Sequence, residues 1–153
     1  MQNDTYKVYR KKVNCSIDSL KEVREFVGSV LAQYNLKEGD ANLMILAVDE
    51  VCCNRMEHSH GCNPNESLEL VIYVDVSPRQ VPHQLIFEIR DKGEIFNIVD
   101  YAVPTIEQII KERKRGNIGL GLVKKIMDKI QIDKREGISV CRMIKEIGGT
   151  KAI

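Results

Sequence analysis

The chain has 153 residues, 43% of them hydrophobic and 29% charged, with 23 Lys and Arg against 22 Asp and Glu. That length fits one compact domain, taken as 1–153, and that balance excludes disordered, collagen-like and membrane classes. A net charge of +1 gives no global field toward DNA or an anionic membrane, so neither is expected as a direct partner and any anion site must be local. The start MQNDTYKVYRKK lacks the apolar core of a signal peptide, and no stretch approaches the roughly 18 apolar residues of a span, which points to the cytoplasm.

In chain order, residues 5–13 read as an exposed or edge strand, with tyrosine and valine among basic residues. Ser16 and Asp18 offer a start for a first helix ending near Asn35, with Leu20, Val23, Val27, Val30, Leu31 and Tyr34 at helical spacing. Asp40 offers a cap for a second helix reaching about His58, with Leu43, Leu46, Ala47 and Val51 on one face and Gly61 as its stop. The runs 68–76 and 84–91 predict a hairpin, and residues 92–117 a functional loop with a short helical stretch at 105–114. GLGLVKKIMDKI predicts a helix opened by glycines, followed by strands 130–135 and 138–146 turning at Arg135-Glu136-Gly137. Hairpins with helices segregated elsewhere give an α+β two-layer sandwich, a mixed and mostly antiparallel sheet with helices on one face.

Five cysteines, an odd number without CxxC spacing, are expected to be free thiols. His58, His60 and Cys62 crowd together after Glu50 and Asn54, but structural zinc wants a second separated ligand pair, and the sequence has none.

Three motifs carry chemistry. In EVCCNRMEH, Glu50, Asn54 and His58 are four apart and share a helix face; such a stripe is a solvated face, or an amide and a carboxylate holding a hard cation such as magnesium. In RDKGEIFN, Asp91 ends an apolar strand two residues before Gly93; this is an ordinary turn, or a carboxylate accepting from an exocyclic amine beside a backbone that approaches a flat ring. In RGNIGLGL, three glycines within six residues open a helix behind the basic KERKR, and backbone N–H groups at a helix start favour phosphate. The GK[ST] ending of a Walker loop is missing.

In this order and spacing the motifs resemble the asparagine box and two glycine boxes of the gyrase, heat-shock chaperone and histidine kinase superfamily, over about Ser16 to Glu146. LAVDEVCCNRMEH, RDKGEIFN and GNIGLGLVKKIMDKI look most like the anti-sigma-factor serine kinases. The resemblance implies ATP and Mg²⁺ as cofactors, Asn54 as metal ligand, Glu50 as general base and Asp91 as reader of the adenine amine. It counts His58, Gly93, Arg115, Asn117, Gly119, Leu120 and Gly121 with Asn54 and Asp91 as nucleotide-binding, and makes 97–117 a lid from which Arg113, Lys114 or Arg115 reaches phosphate. Departures are Ile95, where a small residue or proline is more usual, and Cys52, Cys53 and Arg55, where small or aliphatic residues are. The alternative for Glu50 is a helix-face carboxylate paired with Arg55 or Lys37.

The implied function is an ATP-dependent protein serine/threonine kinase acting on an anti-anti-sigma-like substrate and a sigma-factor system, with a homodimer through the edge strand. A nucleotide-dependent binding module without transfer and an ATP-hydrolysing enzyme are the other readings, since a base beside the γ-phosphate can activate water or a hydroxyl.

Overall fold

A computed structural model describes residues 6–59, 63–75, 82–92, 107 and 119–147. Strand β1 is Tyr6–Asn14, helix α1 Ser19–Leu31 and helix α2 Glu38–Asn54, which runs on into one π-helical turn, Arg55–Ser59. Strands β2 (Ser67–Asp75) and β3 (Gln84–Asp91) follow, then helix α3 (Gly119–Ile126) and strands β4 (Lys129–Arg135) and β5 (Ile138–Glu146). The sheet runs β1-β2-β3-β5-β4, and every pairing among the described residues is antiparallel. The fold is the expected α+β sandwich, with β1 at one edge of the sheet.

Alternation along the strands sorts the sheet into two faces. Leu68, Leu70, Ile72 and Val74 of β2, Leu85, Phe87 and Ile89 of β3, and Cys141 and Met143 of β5 point inward, where they join the buried sides of all three helices. The 67–75 and 84–91 strands pair as the hairpin their pattern predicts. At the β4–β5 turn Glu136 and Gly137 both have positive φ, 51° and 80°, the backbone of a two-residue type I′ hairpin that matches strand twist.

Three expectations need correction. Neither Asp18 nor Asp40 caps a helix by its side chain: α1 is closed at its start by backbone bonds from Ser19 and Leu20 to Ser16 and Ile17, and α2 begins earlier, after an extended Lys37. The buried face of α2 is Met44, Ala47, Val48, Val51 and Cys52, while Leu43 and Leu46 are exposed. The glycine-opened helix stops at Ile126, because Asp128 N–H turns to the Ile144 carbonyl and the chain enters β4. Gly61 and the 105–114 stretch, apart from Glu107, lie outside the described residues.

The outward face of the sheet holds a charged cluster. Glu88, 1% exposed, stands in register with Val71 and Arg142. Arg90 Nη2 donates to Glu88 Oε1 at 2.6 Å and to the Tyr73 hydroxyl at 3.0 Å, and Arg142 Nε lies 3.4 Å from Glu88 Oε2. Only the carboxylate is fully buried, the arginines being 25% and 30% exposed with Arg90 keeping Tyr73 and Glu69, so Glu88→Ala is expected to lower stability by about 2 kcal/mol. Urea unfolding checks this, and a loss under about 1 kcal/mol would mean that both arginines simply turn to water.

Candidate functional site

The end of α2 and the end of β3 meet through Arg55 and Asp91. Met44, Ala47, Val48, Val51 and Cys52 repeat at helical spacing, and the next positions of that buried stripe are Arg55 and Met56, 4% and 0% exposed. An arginine therefore stands where the helix calls for an apolar residue. On β3 the inward positions Leu85, Phe87 and Ile89 continue to Asp91, 4% exposed, so a carboxylate likewise stands where the sheet calls for a core residue. The two exceptions meet: Arg55 Nε donates to Asp91 Oδ2 at 2.8 Å and Nη2 to Oδ1 at 2.5 Å. This two-point contact is the strong geometry for a guanidinium and a carboxylate.

Glu50 and Asn54 flank that stripe, one turn apart and half-buried. Arg55 faces Asp91 rather than Glu50, so the pairing of Glu50 with Arg55 that the sequence left open does not form. Among the described residues no cation or hydrogen-bond donor engages Glu50, and the Asn54 amide is equally without a partner there. Asp49, next to Glu50, is instead held by Arg24 of α1 at 2.9 Å. At Arg55 the helix changes to π hydrogen bonding, a form that recurs at functional sites, and the four-residue spacing stops with Asn54. His58 lies in that turn and its side chain is outside the described residues, as are Gly93, Arg115 and Asn117 in full. Gly119, Leu120 and Gly121 form the first turn of α3, which packs against α2.

Burial first, then the charges of Asp49 and Glu57, push the Glu50 carboxyl above its ordinary value. The folded chain thus holds this proton more tightly than the unfolded chain, a contribution complete below the unfolded value of about 4.3 and lost as pH rises through the raised one. Glu50→Gln, which keeps the neutral shape, is therefore expected to raise the urea midpoint at pH 7 and to give no gain near pH 4. Equal gains at both pH values would assign the effect to something other than charge.

The described cysteines Cys15, Cys52, Cys53 and Cys141 are free thiols. Burial pushes Cys141 up to about 12, and burial followed by Glu57 pushes Cys53 to about 12, so neither is a thiolate nucleophile at neutral pH. Among the described residues no three His, Cys, Asp or Glu side chains group to hold a metal. His60 and Cys62, the other members of the crowded trio, lie outside those residues. A cleft of about 640 Å³ opens at the end of β3, lined among others by Lys12, Glu69, Arg90, Asp91 and Arg135, and neither Glu50 nor Asn54 reaches it.

The described residues form an antiparallel sheet covered on one face by helices, with Glu50 and Asn54 on α2 and Asp91 at the end of the central strand β3. The sequence model of the histidine kinase-like ATPase domain matches residues 13–145, and the chain belongs to that family. The crystal structure of the RsbU and RsbW domains of a Mycobacterium tuberculosis protein is similar in fold, with a TM-score of 0.58 and 13% identity. The similarity covers 92% of this chain and 32% of that one, so this chain spans about a third of the protein it resembles. No curated protein sequence matches the chain. No helix among the described residues is long and apolar enough to cross a membrane.

Proposed function

We propose that the protein is an ATP-dependent protein serine/threonine kinase of the anti-sigma-factor type. Family membership supports ATP binding, and the observation that carries the reading further is the half-buried Glu50–Asn54 pair on α2, which no side chain engages among the described residues. A polar pair half-withdrawn from water without protein partners is costly unless a ligand meets it.

The donor set suits magnesium better than zinc. One amide oxygen with a carboxylate one turn away suits an ion that keeps several of its waters, and no thiolate or multi-carboxylate cage stands beside them among the described residues. Asn54 would hold that ion, which when bound neutralises phosphate charge. Glu50 would orient and deprotonate an incoming hydroxyl, helped by its raised affinity for protons. The first turn of α3 at Gly119–Gly121 would present N–H groups to phosphate, and Asp91 would accept from the base. Gly93, Leu120, Arg115, Asn117 and His58 complete the proposed binding set. An anti-anti-sigma-like protein as acceptor, a sigma factor as second partner and a dimer through the β1 edge belong to the same proposal.

Calorimetry with Mg·ATP is expected to give saturable binding that Asn54→Ala weakens at least about tenfold. Incubation with labelled ATP and a candidate acceptor then separates the readings: label on protein supports the kinase, label as free phosphate only supports hydrolysis, and no binding by folded protein removes the nucleotide reading.

A further inference from the structure

We infer that Arg55 is the specificity-determining residue of the base pocket, competing with the exocyclic amine of the nucleotide base for the Asp91 carboxylate and so flattening the preference for adenine over 6-oxo purines. This rests on the nucleotide reading above. It starts from a departure already visible in the sequence, an arginine directly after Asn54 where a small or aliphatic residue is more usual.

In the structure that arginine turns into the core and takes both oxygens of Asp91, at 2.8 and 2.5 Å. The side chains are 5% and 1% exposed, so the pair is shielded from water as well as from salt. Arg55 comes from the turn that continues α2, where Cys52 and Met56 are also buried, and Asp91 is the last residue of β3.

An adenine amine that reads Asp91 must donate to one of those two oxygens. It can come as a further donor to a carboxylate whose charge a two-point guanidinium already balances, and then the added bond is weak. It can instead displace one Arg55 N–H, and then a buried guanidinium donor loses its bond, which offsets what the amine gains. In both cases the amine contributes less than it would toward a carboxylate with no arginine beside it. A base with a carbonyl at the same position fares better than usual, because a guanidinium is purely a donor and can serve that oxygen. Discrimination is a difference between two affinities, and Arg55 moves both terms toward each other.

The test compares Mg·ATP with Mg·ITP, which differ at that one purine position, on wild type, Arg55→Ala and Arg55→Lys. Wild type is expected to bind the two within about threefold of each other. Arg55→Ala is expected to bind ATP about tenfold more tightly, with ITP little changed, the size expected when a charged group regains a hydrogen bond. Arg55→Lys, which keeps the buried charge and gives up the two-point fork, is expected to fall between and guards against loss of fold in the alanine variant. Thermal unfolding in parallel reports folding of each. If wild type already prefers ATP by more than about tenfold, or if both variants bind ATP more weakly, Arg55 positions Asp91 for adenine and the inference falls while the nucleotide reading stands. If folded wild type and both variants bind neither triphosphate, both readings fall together.

Discussion

Glu50→Gln is expected to leave Mg·ATP affinity near that of wild type and to slow phosphate transfer to an acceptor protein at least about a hundredfold. Glu50 lies one helical turn before Asn54, about 6 Å of rise, so an ion held by the amide would bring the terminal phosphate within reach of the carboxylate. Phosphoryl transfer asks the protein mostly for positioning and charge stabilisation, and a base there need only align a hydroxyl and take its proton. Two features of the site fit that role. Glu50 has no ion-pair partner among the described residues, and burial together with Asp49 and Glu57 raises its hold on a proton. A carboxylate whose purpose was structural would be expected to sit beside a base, as Asp49 does beside Arg24 at 2.9 Å. Single-turnover transfer with labelled ATP measures the effect. An unchanged rate in the glutamine variant would make Glu50 a bystander and leave the kinase reading without its central residue.

Much of the fold was legible because its strands alternate cleanly and its turns carry their own chemistry. Residues 84–91 read as a strand from QLIFEIRD, and Glu136-Gly137 read as a tight hairpin because positive φ is cheap at glycine. Helix α2 was read less well. Leu43, Leu46, Ala47 and Val51 suggested its inner face, yet beside Ala47 and Val51 the core takes Met44, Val48 and Cys52, a rotation that depends on where α1, α3 and the sheet press against the helix. Periodicity counts apolar residues and cannot tell two overlapping apolar stripes apart. The pairing of Arg55 with Asp91 went unseen for a related reason. Each residue was weighed within its own motif, Arg55 as a partner for Glu50 and Asp91 as a reader of adenine. A signal was present, since both are charged residues at positions whose period is that of the core, and two such exceptions of opposite sign are natural partners.

Asp91→Ala is expected to lower stability by about 3–5 kcal/mol, more than Arg55→Ala does. The asymmetry follows from what each variant leaves behind. Removing the carboxylate takes the two-point partner from a guanidinium whose side chain is only 5% exposed, and arginine cannot shed its charge at any ordinary pH. Removing the arginine takes the balancing charge from a carboxyl group, which can become neutral by taking a proton, so the loss is smaller and shrinks in acid. Urea unfolding of both variants at pH 7 and near pH 5 tests the sign and the size. The double variant Arg55→Met, Asp91→Leu is expected to recover most of the loss, because apolar residues of similar volume can replace a buried ion pair at little cost. Recovery in the double variant would separate the pair's role in the fold from its role in the site, since such a protein stays folded without the carboxylate that reads the base. If Asp91→Ala and Arg55→Ala instead cost the same at both pH values, the loss would lie in packing volume, and the buried charge would not be what decides the stability of this junction.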